Sequence, residues 1–233
     1  MADGVIGSVL PRVFGIVTGR FGLTHDDRRQ SETNRLGAAA ASGVRPAASE
    51  IEVISAWKLD EAEYGNAALD LDLLLRWWSV YPRGFWLCVD DGRTVGSLGL
   101  WPLRRAAFCD LATGKRAEKQ LRGADFAPVA DARSTRSWYC SGIVVARDAR
   151  RKRNAAARRL ICGAIEGWTA SAVHSSRVDL CSVAFTAEGQ RLARRLGMVE
   201  QRPSGFSVAE YPVYVALDQR PSLLAARFPK STS

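Results

Sequence analysis

The sequence predicts an α/β protein in which short buried strands alternate with amphipathic helices. Two apolar, β-branched runs, residues 142–146 and 177–185, have the composition of strands that are covered on both faces. Between them, Ala157, Leu160 and Ile161 recur at the spacing of one helix face. The chain has 233 residues, of which 47% are hydrophobic, and this is enough for one domain with a substantial core.

The remaining elements follow from periodicity and from turn and cap residues. An alternating run at 51–57 predicts the first strand, and residues 59–81 are helical in character with a break at Gly65-Asn66. Asp91-Gly92 is a turn signal between two strands, so residues 85–101 predict a hairpin. Further along, Thr186 predicts the N-cap of a helix that ends at Gly197, and residues 211–217 alternate as a last strand.

The domain organisation is predicted from composition. Residues 1–50 are expected to be a tail or linker, largely disordered, because residues 25–50 are polar and rich in small residues. The folded domain is expected at 51–218, with a C-terminal tail at 219–233. A secretory signal is not expected, because Asp3 stands where such a signal would need positive charge.

The net charge of +9 and the pI of about 9.8 favour anionic partners without choosing among them. The five cysteines lie far apart and form no CxxC pair, so no metal site is predicted, and reduced thiols in a cytoplasmic protein are expected. No apolar run reaches 18 residues, and no membrane span is expected.

Residues 141–168 are the most informative segment. A buried strand is followed by the strongly basic run 147–153 and then by a helix that opens among Ala155, Ala156 and Ala157. The first N–H groups of a helix have no intrahelical partner, and the helix dipole adds partial positive charge there. A strand that leads through a cationic turn into a helix therefore predicts a phosphate site.

This segment resembles the central strand–turn–helix of the GNAT acyltransferase superfamily, whose turn follows the pattern [Arg/Gln]-x-x-Gly-x-[Gly/Ala]. Residues 152–157 match it with two departures, since Lys152 replaces arginine or glutamine and Ala155 replaces the first glycine. Residues 188–198 resemble the family's segment ending in Leu-Gly-Phe, and Trp101-Pro102-Leu103 with the following residues resembles a bacterial subgroup. The resemblance covers about residues 51–218.

The resemblance implies a mixed, mostly antiparallel sheet of about six or seven strands with helices on both faces. It also implies N-acyl transfer from acetyl-CoA or another acyl-CoA to an amine by direct attack. Two parallel strands, residues 139–145 and 178–185, would splay apart to admit the pantetheine arm of this co-substrate. The implied donor-binding residues are Ile143, Val144 and Val145 through their backbone, and Arg151, Lys152, Arg153, Asn154, Ala155 and Ala156 around the pyrophosphate.

The candidate catalytic residues are Tyr139, Ser141 and Thr186. The first two begin the central strand, where the family often places a base, although neither is a carboxylate. The family's usual acid is a tyrosine near the penultimate helix, but no tyrosine lies between Tyr139 and Tyr211, and Thr186 or Ser182 is nearest to that place. The remaining alternatives are Cys140, Glu166, Glu188 and His174.

Three hypotheses remain at this point. The first is an acyltransferase whose amine acceptor, a small molecule or a protein, is unknown. The second is a catalytically weak module of the same fold that senses an acyl-CoA or binds a partner. The third, a nucleic-acid binder acting through the basic run, is disfavoured, and a homodimer is left open. Trp77, Trp78, Trp86, Trp101 and Trp138 could line an acceptor groove, but core packing is the favoured interpretation for most of them.

Overall fold

The computed structural model describes residues 43–146, 153–171, 177–201, 208–209 and 211–227. The strands are β1 (Gly43–Pro46), β2 (Phe85–Asp90), β3 (Arg93–Pro102), β4 (Ser137–Val145), β5 (Val178–Val183), β6 (Val199–Gln201) and β7 (Val213–Gln219). The helices are α1 (Glu50–Tyr64), α2 (Leu71–Val80), α3 (Arg105–Ala112), α4 (Val129–Ala132), α5 (Arg153–Ser171), α6 (Ala187–Arg195) and α7 (Pro221–Ala226).

The seven strands found in these described ranges form one sheet in the order β1-β2-β3-β4-β5-β7-β6. Neighbouring strands are antiparallel except for β4 and β5, which run parallel. The predicted fold class, a mixed and mostly antiparallel sheet of six or seven strands, is confirmed. The predicted hairpin and the helix break at Gly65 are present as well, since β2 pairs with β3 and a short 3₁₀ turn separates α1 from α2.

Helices cover both faces of the sheet, as predicted. Successive residues of a strand point to opposite faces, and two neighbours on β3 contact different helices. Ser97 donates a hydrogen bond to Asp60 of α1, whereas a Cβ on Gly96 would lie 3.3 Å from Leu160 of α5. α1 and α5 therefore lie on opposite sides of the sheet.

The core is rich in aromatic side chains. On the face covered by α1 and α2, Trp77 packs edge-on against Trp101 and Tyr139. On the α5 face, Trp138 and Trp168 meet edge-on with ring centroids 5.2 Å apart. Four of the tryptophans considered for an acceptor groove, Trp77, Trp86, Trp101 and Trp138, are buried, so the core interpretation holds for them.

The strand predicted at residues 51–57 is wrong, because these residues form the first half of α1. Ile51 is 78% exposed, while Val53 and Ala56 are fully buried at helical spacing. Ser49 caps the helix by accepting from the Glu52 N–H, and Glu52 accepts in return from the Ala48 N–H. This Ser-x-x-Glu capping pattern was present in the sequence and outweighs a short alternation.

The predicted domain boundaries also need correction at both ends. The first strand, β1, lies inside the predicted linker at residues 1–50 and pairs with β2 from Gly43 to Pro46. α7 lies inside the predicted C-terminal tail and places Leu224 in the core at 1% exposure. Both segments add to the packed structure, because β1 extends the sheet and also contacts α5 through Val44.

We predict that Gly163→Ala destabilises the protein by about 1–3 kcal/mol, although alanine normally stabilises a helix relative to glycine. A Cβ at this position would lie 2.6 Å from the Cβ of Val44, so β1 and α5 would have to separate. Urea denaturation measures the change. Gly189→Ala in α6 is the matched control, because its new Cβ meets nothing closer than 3.3 Å, and it should lose less than half as much. A Gly163→Ala protein as stable as the wild type would contradict this packing.

Candidate functional site

The parallel strands β4 and β5 separate partway along β4. Their pairing begins at Ser137–Asp179 and ends at Cys140–Ser182. β4 continues to Val145 and stays paired with β3 over this second half. Beyond Cys140 the side of β4 that faced β5 is therefore open, and we refer to this opening between β4 and β5 as the gap.

A β-bulge in β4 coincides with the start of the gap. Leu98 pairs with Ile143 and Leu100 pairs with Cys140, so β4 uses one more residue than β3 across this interval. The extra residue falls at Ser141–Gly142. Because a bulge bends its strand and increases the local twist, it provides a physical reason for β4 to leave β5 here.

The backbone groups that line the gap can be assigned from the hydrogen-bond alternation of an antiparallel pair. The Ala146 N–H donates to the Val95 carbonyl of β3. Two residues earlier, Val144 therefore also directs its N–H and C=O towards β3, opposite Ser97. Ile143 and Val145 then direct theirs towards the gap. Of the three predicted backbone ligands, this alternation favours Ile143 and Val145 over Val144.

The N-terminus of α5 lies at the same end of the sheet as the gap. Leu160 of α5 approaches Gly96, which is paired with Val145 near the end of β4. Trp168, further along the helix, packs on Trp138 at the beginning of β4. The helix thus runs antiparallel to β4, and its first turn lies beyond Leu160 on the side where the strands are apart.

The structure describes only part of the predicted phosphate site. α5 begins at Arg153, Ala155 is exposed in its first turn, and Ala156 is buried at 8% exposure. Ala155 is therefore the small residue of this turn whose surface is open. Arg151 and Lys152, and the side chains of Arg153 and Asn154, lie outside the described residues.

The predicted catalytic residues of β4 are both buried. The Ser141 hydroxyl accepts a hydrogen bond from Trp101 Nε1 at 2.9 Å, inside the bulge. A side chain on Gly99 would collide with this hydroxyl, so the arrangement requires glycine there. Tyr139 is fully buried beneath α2, and this burial favours a packing role over a catalytic one.

Two predicted residues border the gap from the β5 side. Ser182 forms the last pair with Cys140, and Thr186 follows soon after the end of β5. Thr186 is the predicted N-cap of α6, and its Oγ1 accepts from the Gly189 N–H at 3.0 Å.

Burial raises the pKa of the Cys140 thiol to about 12, so this cysteine is a neutral thiol and a weak nucleophile near pH 7.

Within the described residues, the half-buried Asp60 and the buried Glu118 carry carboxyl groups on the α1 face of the sheet, and sequence patterns gave no indication of them. Asp60 accepts from the Ser97 hydroxyl at 3.2 Å, and Ser97 is opposite Val144 of β4. Glu118, from the connection between α3 and α4, lies close to Tyr139 and interacts with its hydroxyl. That hydroxyl has no well-aligned hydrogen-bond partner among the described residues.

Burial changes the acidity of both groups. Desolvation raises the pKa of Asp60 to about 7, the Ser97 hydrogen bond opposes this rise, and the nearby Glu118 adds to it. Desolvation likewise raises the pKa of Glu118 to about 7, opposed by Tyr139. Carboxyl groups with such pKa values can accept and release protons near neutral pH, which is typical of acid–base sites.

Aromatic rings line the gap on the α1 side. Tyr64, the last residue of α1, donates from its hydroxyl to the Ile143 carbonyl at 2.9 Å. Its ring centroid is 6.1 Å from that of Phe185, and Phe185 packs edge-on against Tyr211 at 4.4 Å. Tyr211 is one of the two residues that bounded the tyrosine-free stretch of the sequence, and folding places it beside Phe185.

The remaining alternatives contribute less to this region. Glu166 is exposed on α5, and Glu188 is exposed on α6, where it pairs with Arg191. His174 lies outside the described residues. Trp78 is half-buried on α2 and packs at the edge of the core.

A second cleft, of about 750 Å³, lies at the opposite end of the β4–β5 pair. Two of its lining arginines are engaged by aspartates of the same cleft. Arg105 binds the buried Asp179 at 2.7 Å, and Arg136 binds Asp218 at 3.0 Å. These ion pairs connect α3 to β5 and the residue before β4 to β7, so they have a structural role at the base of the cleft.

No family model matches the sequence, and no curated protein matches it. Among the residues that the structure describes, no helix has the length and apolar character needed to cross a bilayer. Within the same ranges, no group of three or more His, Cys, Asp or Glu residues is arranged to hold a metal ion.

Several solved structures have a similar arrangement of elements. Ard1 from Thermoplasma volcanium has 14% identity and a TM-score of 0.46, over 77% of this chain and 100% of that one. The ribosomal-protein-alanine N-acetyltransferase from Brucella melitensis has 18% identity and a TM-score of 0.44, over 75% and 98%. The loading GNATL domain of CurA from Lyngbya majuscula has 11% identity and a TM-score of 0.48, over 79% and 81%. Similarities at this level assign no activity to this chain.

We predict that Glu118→Gln makes stability less dependent on pH. An acid whose folded-state pKa lies above its ordinary value of 4.5 stabilises the folded protein while it is protonated, and this contribution is lost as pH rises towards about 7. Between pH 5 and pH 8 the wild type should therefore lose about 3 kcal/mol that the variant does not lose.

Urea denaturation at several pH values between 5 and 8 tests this expectation. Glu188→Gln serves as the control, because the Glu188 side chain is 77% exposed and its replacement should leave the pH dependence unchanged. Parallel pH curves for the wild type and Glu118→Gln would show that the Glu118 carboxyl titrates normally.

Proposed function

We propose that this protein is an N-acyltransferase of the GNAT type, which transfers an acetyl or other acyl group from acyl-CoA to an amine. The observation that supports this most is the end of β4–β5 pairing after Cys140 and Ser182. It leaves the backbone of Ile143 and Val145 directed into an opening that a strand-like ligand can enter. The bacterial subgroup suggested by Trp101-Pro102-Leu103 is part of the same proposal.

The pantetheine arm of an acyl-CoA suits this opening because it carries two amide groups along an extended chain. Its amides can pair with Ile143 and Val145 as another strand would. The pyrophosphate would then lie towards the first turn of α5, where the free N–H groups and the helix dipole favour an anion. The basic residues Arg151, Lys152 and Arg153 would add charge-assisted contacts.

Asp60 is our candidate for the general base. Among the residues considered, it combines a pKa of about 7 with a position next to Ser97 and Val144, on the sheet face from which an acceptor would approach the gap. The amine nitrogen attacks the thioester carbon and forms the amide C–N bond, and a proton of the amine passes to Asp60. The C–S bond breaks, and CoA leaves as a thiolate. Glu118 lies deeper in the core beside Tyr139, where it modulates the acidity of Asp60.

The second candidate function is a module of this fold that binds an acyl-CoA without efficient transfer. It is favoured by Tyr139 and Ser141, whose burial leaves them poorly placed to act on a substrate. Binding of the donor without turnover of any amine would support this second candidate. The acceptor, whether a small molecule or a protein, is to be found by screening.

We predict that Ala155→Asp weakens acetyl-CoA binding at least tenfold, whereas Ala155→Asn, which has nearly the same shape, weakens it less. Ala155 is exposed, so neither side chain disturbs the core. A carboxylate in the first turn stabilises a helix, and a loss of affinity would therefore arise from repulsion of the phosphates. Isothermal titration of the full chain, which keeps β1, measures both affinities. Lack of binding by the folded wild type would refute the proposed function.

We also predict that Asp60→Asn lowers kcat about 10²- to 10⁴-fold and leaves the dissociation constant of acetyl-CoA unchanged. Because a base acts in its deprotonated form, the wild-type rate should rise as pH increases through about 7, and this limb of the profile should disappear in the variant. The exposed Glu188→Gln should behave as the wild type. A kcat of Asp60→Asn within threefold of wild type would exclude Asp60 as the base.

A further inference from the structure

Tyr64 spans the gap on the face covered by α1. Its hydroxyl donates to the Ile143 carbonyl of β4 at 2.9 Å, and its ring packs near Phe185 on the β5 side. The ring also lies over the bulge, since a Cβ on Gly142 would be 3.7 Å from Tyr64 Cε2. One side chain therefore contacts β4, the bulged residue Gly142 and the segment that follows β5.

The Tyr64 hydroxyl replaces a hydrogen-bond donor that the Ile143 carbonyl lacks at the gap. Where β4 leaves β5, the Ile143 carbonyl loses the partner that a continuous sheet would supply. Ile143 is half-buried, and a carbonyl that is shielded from water without a partner costs free energy. In the free protein the Tyr64 hydroxyl supplies the missing donor, across 79 residues of sequence.

The same carbonyl is the acceptor that an amide of the donor would use. A strand-like ligand in the gap pairs with the backbone of Ile143 and Val145, and its N–H must reach the Ile143 oxygen. The Tyr64 hydroxyl already occupies that oxygen from the gap side, and the ring narrows the approach beside Gly142. The ligand and the tyrosine hydroxyl thus compete for one acceptor.

We propose that Tyr64 sets the affinity of this site for its acyl-CoA donor by holding the Ile143 carbonyl until a donor amide displaces its hydroxyl. The inference rests on the proposed function, because it needs a ligand that enters the gap. It predicts an unusual sign: loss of a hydrogen-bonding group from the site strengthens binding.

The test is Tyr64→Phe in the full chain, titrated with acetyl-CoA by calorimetry. This variant removes the hydroxyl and keeps the ring that packs on Phe185. We expect the dissociation constant to fall about three- to tenfold, which corresponds to the net value of one hydrogen bond. Thermal denaturation confirms that the variant is folded. Equal or weaker binding of acetyl-CoA by folded Tyr64→Phe would overturn the inference.

Two controls localise the effect. Tyr211→Phe removes the hydroxyl of the other tyrosine in the aromatic group, and it should change acetyl-CoA affinity less than twofold. Adenosine 3′,5′-bisphosphate carries phosphates but no pantetheine amide, so the wild type and Tyr64→Phe should bind it equally. If Tyr64→Phe tightened this probe as much as acetyl-CoA, the effect would not arise at the Ile143 carbonyl, and the inference would be wrong.

The outcomes separate this inference from the proposed function. A folded wild type that binds no acyl-CoA refutes the proposed function, and the inference with it. A wild type that binds acetyl-CoA, beside a Tyr64→Phe variant that binds it no more tightly, refutes the inference alone and leaves the acyltransferase proposal intact.

Discussion

The early end of the parallel pairing between β4 and β5 is the constraint on which the rest of this structure depends. Antiparallel partners hold both strands on their outer sides, β3 along β4 and β7 along β5. Each strand can therefore leave its parallel neighbour and remain in the sheet. The bulge at Ser141–Gly142 bends β4 at the required place. The gap therefore forms between two strands that are each held by an antiparallel partner, and the rest of the sheet stays paired.

An opening inside a sheet brings polar backbone into a layer that is otherwise apolar, and the surrounding residues respond to this. Tyr64 satisfies one carbonyl of β4, and the Ser97 hydroxyl of the adjoining strand bonds to Asp60. The carboxyl groups of Asp60 and Glu118 are held where desolvation makes ionisation costly, which raises the pKa of each. Ionisation of these groups near neutral pH costs stability, and the same raised pKa values let them exchange protons there.

Local sequence patterns were sufficient for much of the fold. Strands β2 to β5, the long helix α5 and the Thr186 cap of α6 all followed from apolar period, turn residues or cap residues. The main error was a strand predicted in place of the first half of α1. It arose because seven alternating residues are too few to distinguish the two-residue period of a strand from the 3.6-residue period of a helix. The Ser49-x-x-Glu52 cap was the better signal. β1 was missed because four residues without strong apolar character give no periodic signal.

The sequence by itself determined the strand that ends at Val145 and the helix that begins at Arg153, because period and charge are local properties. It could not determine which side chains meet at the gap. Tyr64 reaches Ile143 across 79 residues, and Ser97 reaches Asp60 across 37. Contacts over such separations follow from how the helices pack on the sheet, and they produce no periodic pattern in the sequence. The acidity of Asp60 and Glu118 was likewise decided by tertiary structure, because desolvation exists only once α1 and the α3–α4 connection cover the sheet.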